Sequence, residues 1–150
     1  LAVTNEHLLN GETIMVIKYI ISFKLAFNKG AAWSILEGQT FILVSISVIA
    51  SLAVAFLIFK LVDLKKAPLL SIALILIDAG AIGNLIDRAF YEEGVIDFLN
   101  FEFMEFPTFN FADSCLTIGA VVLMVYIVFF YKEPPKDKPQ SEEEGVSSNA

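Results

Sequence analysis

The order of apolar and polar positions divides the chain into blocks. From Thr40 to Phe59 the sequence TFILVSISVIASLAVAFLIF carries no charge. Ala67 to Ile86 forms a second apolar block interrupted only by Asp78, and Phe111 to Tyr131 a third with Asp113 near its start. A bilayer core of about 30 Å is crossed by about 20 apolar residues in helix, so the pattern predicts three transmembrane helices. The link LVDLKKAP is so short that the first two must be antiparallel neighbours. Ile14 to Phe27 is patterned differently. Every odd position from Met15 to Phe27 is apolar, while Lys18, Ser22 and Lys24 fall on even ones. That period of two predicts one or two β-strands, an external amphipathic lid lying at the membrane surface. An interfacial helix would need a 3.6 period, which is weaker here.

Composition narrows the class. The chain is 57% hydrophobic and 18% charged, against about 45–50% and about 25% for soluble domains. Ordinary water-soluble enzymes and disordered proteins are thereby disfavoured. A net charge of -7 argues against a nucleic-acid partner. One cysteine allows no internal disulfide framework or Cys-rich zinc site. The single histidine, His7, argues against a His-based metal site, so no metal and no cofactor is expected.

Charge placement sets the topology. Lys60, Lys65 and Lys66 lie in the short link, and Lys132, Lys136 and Lys138 follow the third span. By the positive-inside rule both groups are cytoplasmic. Arg88, Glu92, Glu93, Asp97, Glu102 and Glu105 then fall outside, together with the segment before Thr40. An external segment ahead of the first span calls for an upstream helix or a cleaved signal before Leu1. The expected organisation is an external segment over 1–39, a transmembrane core over 40–131 with an external loop 89–110, and a disordered Pro-, Glu- and Ser-rich cytoplasmic tail over 132–150.

Polar groups at membrane depth are costly and default to functional candidates. Asn28 and Gly30, Asn84, Asp87 and Arg88, Asp97, Asn110 and Asp113 all fall near the outer face. Asn84 shares a helix face with Asp87 and Arg88, at i+3 and i+4. Gly80 and Gly83 permit close helix approach. No histidine lies here, Cys115 has no base partner, and Ser34 and Ser114 lack a nearby His or Lys, so a Ser or Cys nucleophile is poorly supported. Carboxylates remain. Two held close share a proton, one acting as base on water and the other as acid. Asp87, Asp97 and Asp113 are the candidates, and spacing alone does not choose between them. Asp87 adjoins Arg88, which suits a structural duty; Asp97 and Asp113 have no adjacent cation and are freer to titrate as a pair.

Each has a plainer reading. Asp97 suits a solvated loop acid, Asp113 a helix N-cap whose charge favours the helix dipole, and Asn28 a turn. Glu102 and Glu105 read as solvated loop charges. Trp33, Tyr91 and Tyr131 suit an aromatic belt, Cys115 a small buried apolar site, and His7 an exposed position. Asp78 is expected to face the bundle or to be protonated.

The motifs NKGAAWS, GAIGNLIDR, VIDF and FNFADS, in this order, resemble those of the lipoprotein signal peptidase (signal peptidase II) family, from about Ile14 to about Met124. The resemblance implies a bacterial inner-membrane aspartyl endopeptidase that removes signal peptides from prolipoproteins, cleaving before a diacylglyceryl-modified cysteine. It implies an all-α membrane bundle of four transmembrane helices, three of them here, with a small external β-cradle. Asp97 and Asp113 would be the catalytic dyad. Asn28, Gly30, Asn84, Arg88 and Asn110 match residues lining and supporting the site, and Asp87 a structural acid. The implied partners are lipid-modified prolipoproteins and membrane lipids. The implied state is a monomer open to cyclic peptide inhibitors such as globomycin, with its active site near the periplasmic face. Three departures stand out. Nothing in Leu1 to Asn10 matches the Asp-Gln…Lys motif of the family's first helix, so the chain is expected to start just after that helix. Ala79 replaces the first of two usual glycines, and Trp33 stands where Phe is usual. Rival readings are a non-enzymatic membrane scaffold and an ion-coupled transporter using Asp78 and Asp113.

Overall fold

The computed structural model describes residues 11–30, 36 and 38–131. His7, Trp33, Ser34 and the tail over 132–150, with its three lysines, lie outside the described residues. The element order is β1 (Ile14–Ile17), β2 (Ile21–Asn28), α1 (Thr40–Leu61), α2 (Pro68–Phe90), β3 (Val95–Phe101) and α3 (Phe111–Phe129).

Among the described residues, the three helices are long and apolar enough to cross a membrane. At 1.5 Å per residue each spans about 28–35 Å. Their outward side chains, such as Phe41, Ile49, Phe59, Val128 and Phe129, are exposed. Side chains of that kind suit lipid, not water. The link between α1 and α2 is a compact polar turn. Asp63 Oδ1 accepts from the backbone N–H of Lys65 and of Lys66, both at 3.0 Å, and the Ser71 hydroxyl accepts from Asp63 N–H at 3.1 Å while donating to Ala67 O. Pro68 opens α2 at a position where a missing N–H costs nothing.

Glycines let α2 and α3 pack backbone to backbone. A Cβ on Gly80 would collide with the Ala112 carbonyl oxygen and would lie 2.8 Å from Leu116. One on Gly119 would lie 2.8 Å from Ile77 and 3.0 Å from Ala73 O. Any side chain at these points forces the helices apart, with overpacking costs of about 1–3 kcal/mol.

The sheet has the order β1-β2-β3, antiparallel throughout. The first two strands fall inside the period-two segment. The third, β3, lies in what the sequence reads as a loop over 89–110. Its four-residue VIDF core is too short to declare itself, and long-range pairing with β2 makes it a strand. A bulge in β2 has a larger consequence. Ile21 pairs with Phe101 and Phe23 with Leu99, but after the register shift Ala26 pairs with Asp97 and Asn28 with Val95. Directly opposed residues point to one face, and the odd residues of β3 share a face. One extra residue in β2 therefore puts Asn28 on the face of Ile21, Phe23 and Asp97. An unbroken alternation would have sent it to the other.

Phenylalanines join the sheet to the helices. Phe98 stacks edge-on with Phe23 at 6.0 Å and with Phe111, the first residue of α3, at 5.4 Å. Phe101 contacts Phe103, Phe106 and Phe109 at 4.9–5.8 Å. Such pairs add about 0.5–1.5 kcal/mol each beyond area burial. Phe109 also bridges Leu99 through backbone bonds in both directions.

Candidate active site

Three elements bring the polar residues together at the sheet end of the bundle. Helix α2 supplies Asn84 and Arg88, the face of β3 turned to the helices supplies Asp97, and the start of α3 supplies Asn110 and Asp113. Asn110 is the N-cap of α3. Its Oδ1 accepts from Asp113 N–H at 2.9 Å, and Asp113 Oδ2 accepts from Asn110 N–H at 3.2 Å, a reciprocal capping box. The structural role foreseen for Asp113 is therefore present, at the third helical position and not at the cap.

The cap residue also links the carboxylates. Asn110 Nδ2 donates to Asp97 Oδ1 at 2.9 Å and to Asn84 Oδ1 at 3.0 Å. Asn84 Nδ2 donates to Asp113 Oδ1 at 2.7 Å. Both carboxylates thus touch Asn110, and each oxygen of Asp113 is already an acceptor. Asp97, Asn84 and Asn110 are buried, Asp97 with 3% of its surface exposed. Burial pushes the Asp97 carboxyl up to about 6, with the nearby Asp113 charge adding to the effect; the Asn28 and Asn110 amides and the Arg88 charge pull the other way. A carboxyl that holds its proton beside a second carboxylate is the arrangement that acid–base catalysis by paired acids requires.

The remaining candidates frame this pair. Arg88 Nη2 donates to Gly30 O at 2.9 Å and Nη1 to Asn84 O at 3.2 Å, tying the segment after β2 to α2. Its Nε is buried without a partner. Asn28 Oδ1 accepts from Gly30 N–H at 2.9 Å, so the turn reading of Asn28 holds alongside its place at the site. Asp87 is turned elsewhere: its Oδ2 accepts from Ile96 N–H at 3.2 Å, anchoring β3 to the last turn of α2. Gly94, at φ +94°, brings the start of β3 into contact with the Asn28 carbonyl.

A cavity of about 720 Å³ opens beside these groups. Asn28, Asn84, Arg88 and Asp113 line its polar end, and Ile46, Ala50, Leu116 and Ile118 are among its apolar wall residues from α1 and α3. Phe101, Phe106, Pro107 and Phe109, from β3 and the segment after it, also line it. The sequence marks the polar end but not the α1 wall, because Ile46, Ser47 and Ala50 look like any other lipid-facing residues.

Two expectations need correction. Glu102, read as a solvated charge, is exposed but accepts from Asn100 Nδ2 two residues back and from the Ser22 hydroxyl, the second a pairing that the β2–β3 register creates. Cys115, read as buried, is half-exposed.

A family model described as signal peptidase (SPase) II matches residues 1–129. The chain is 38% identical to a lipoprotein signal peptidase of Enterococcus faecalis over 135 residues, covering 90% of this chain and 82% of the relative. It is 40% identical to one of Clostridium tetani, covering 79% and 76%. Among solved structures, a bacterial membrane enzyme determined by the in meso method at 2.3 Å superposes with a TM-score of 0.69 at 29% identity, over 95% of this chain and 87% of that one. A second, at 1.9 Å, gives 0.67 at 30% identity, over 86% and 85%.

Proposed function

Since the chain belongs to the signal peptidase II family and is a multi-pass membrane protease of that kind, we propose that it is an aspartyl endopeptidase cleaving prolipoproteins just before a diacylglyceryl-modified cysteine. The carrying observation is the hydrogen-bonded run Asp97–Asn110–Asn84–Asp113, of which Asn84 and Asp113 line the polar end of a largely apolar cavity among membrane helices while Asp97 and Asn110 are buried beside it.

In this reading the lipid-modified cysteine enters sideways between α1 and α3, its acyl chains against Ile46, Leu116 and Ile118. The peptide lies extended along the sheet end. Arg88 Nε and the Asn28 amide offer donors for its carbonyls. A water sits between the two carboxylates. Asp113 takes its proton as it attacks the scissile carbonyl. Asp97, whose proton is held above the ordinary carboxylate range, donates it to the carbonyl oxygen. As the intermediate collapses, Asp97 takes that proton back and Asp113 passes the proton it took from water to the departing amine, so both carboxyls return to their starting state. The two titrate as a pair, so an observed pKa belongs to both. Burial that raises Asp97 is what supplies an acid above the ordinary carboxylate range.

The same reading puts the enzyme in the bacterial cytoplasmic membrane as a monomer. The 1–39 segment, the sheet and the 89–110 segment face outward, and the α1–α2 link and the 132–150 tail face the cytoplasm. A cyclic peptide such as globomycin is expected to block the cavity. The test is cleavage of a purified diacylglyceryl-modified prolipoprotein in detergent by the native protein and by Asp97→Asn and Asp113→Asn. Both variants should lose at least about a thousandfold in rate. Retained cleavage by either removes that residue from the dyad, and cleavage of unmodified substrate equally well removes the lipid from the recognition.

A further inference from the structure

Two polar groups in the membrane core are unused by the site. Asp78 lies mid-way along α2 and Ser51 mid-way along α1. Asp78 Oδ1 and Ser51 Oγ are both buried with no hydrogen-bond partner. Ser51 is only 8% exposed. In water such atoms would be solvated, but in hydrocarbon an unpaired polar group is costly and must find a protein partner.

The two groups are placed to meet. α1 and α2 run antiparallel from the short link, and Ser51 and Asp78 each lie about 15 Å of helix from it at 1.5 Å per residue. They therefore share a depth. They also share an interface. Asp78 is two turns beyond Ser71, whose hydroxyl contacts the link at Asp63, so both lie on one side of α2. The opposite side, with Ala73, Ile77 and Gly80, packs on α3. Ser51 lies on the side of α1 that carries the other buried residue, Leu43, and α2 is the helix that α1 packs against.

We infer that the Ser51 hydroxyl donates to the Asp78 carboxyl as an interhelical latch, making the two residues positioning residues for the cavity. A χ1 rotation between staggered wells is the motion available to each side chain. The latch sits one helical turn along α1 from the cavity wall. Ala50 and Ser47, the neighbours of Ser51 on that helix, line the cavity. Holding α1 against α2 at this depth fixes the width of the apolar part of the cavity without touching the carboxylates. This rests on the reading that the cavity receives the acyl chains of a lipid-modified substrate.

The latch is tested first without reference to activity. In a Cys115→Ala background, Ser51→Cys with Asp78→Cys should close an intrachain disulfide under mild oxidant, because facing residues at one depth bring their Cα atoms within about 7 Å. Failure to close it overturns the latch. Kinetics on the full chain then test the positioning role. Ser51→Ala and Asp78→Ala should each raise KM about threefold to tenfold, the scale of one interhelical hydrogen bond in a membrane, with kcat little changed. The double variant should be no worse than either single one. Ser51→Thr, which keeps the hydroxyl, and Asp78→Asn, which keeps an acceptor, should restore KM. Independent, additive effects, or a fall in kcat with KM unmoved, overturn the positioning role. A native chain that forms the disulfide in its cysteine variant but cleaves no lipid-modified prolipoprotein overturns the functional reading instead.

Discussion

Replacing Asp97 by Asn should make the protein more stable and inactive at once. Asp97 is held with 3% of its surface exposed, and burial together with the Asp113 charge lifts its carboxyl from 3.8 to about 6. A raised acid pKa means that the folded state binds the proton more tightly than the unfolded state. Its contribution is fully present below about pH 3.8 and is lost as pH rises through about 6. Two pKa units at 1.36 kcal/mol each correspond to about 3 kcal/mol of stability sacrificed above pH 7. Asparagine has nearly the same shape and never ionises. The variant should therefore match the native protein near pH 4 and exceed it by about 3 kcal/mol near pH 8. At this chain length that is about 6–12 °C in Tm. The assay is thermal unfolding of both proteins in one detergent at pH 4, 6 and 8, with prolipoprotein cleavage measured on the same samples. A gain in Tm that grows with pH, alongside loss of cleavage, separates removal of a catalytic acid from misfolding. The same ionisation should set the alkaline limb of kcat/KM in the native enzyme. A Tm difference that is flat with pH, or that reverses, refutes the claim that Asp97 is strained by burial beside Asp113.

Three other outcomes follow from the same geometry. Asn110→Ala removes the cap of α3 and the donor to Asp97 and Asn84, so stability should fall by about 3 kcal/mol and the alkaline limb of the rate profile should move up, since that amide lowers the Asp97 pKa; an unshifted limb would count against the link. Gly94→Ala puts a side chain at φ +94° against the Asn28 carbonyl, and cleavage should drop about tenfold from a strain of about 1–2 kcal/mol delivered at the site, whereas unchanged kinetics would show that the approach of β3 to Asn28 is not needed. Phe106→Ala thins the outer wall of the cavity, and KM for the lipid-modified substrate should rise severalfold with kcat held; an equal fall in kcat would place Phe106 at the chemistry instead.

Much of this molecule is written locally. Helices Thr40–Leu61, Pro68–Phe90 and Phe111–Phe129 differ from the spans read in the sequence by a few residues, because long uncharged runs state their solvent directly. The helix α2 runs past Ile86 to Phe90, carrying Asp87 and Arg88 on its last turn. The strands β1 and β2 are visible as a period of two, and the polar residues at the ends of the apolar runs stand out as candidates, since a charge in hydrocarbon is costly wherever the chain leads next.

What the sequence by itself determined, then, is which segments prefer lipid, which carry the period of a strand, and which carboxylates and amides lie near the ends of the apolar runs. Tertiary structure decided everything that depends on two distant segments meeting. Asp97 and Asp113 both touch Asn110 because Asp97 sits on a strand that exists only by pairing with β2, and because Asn110 caps α3 with its backbone while its amide reaches two other elements. Asn28 shares the face of Asp97 because one extra residue in β2 reverses its alternation. Even the partner of Asp87 depends on which backbone N–H comes within reach of its carboxylate. Burial and hydrogen bonding across such contacts depend on register and packing between segments, and a pattern of hydrophobicity along one segment carries no record of either.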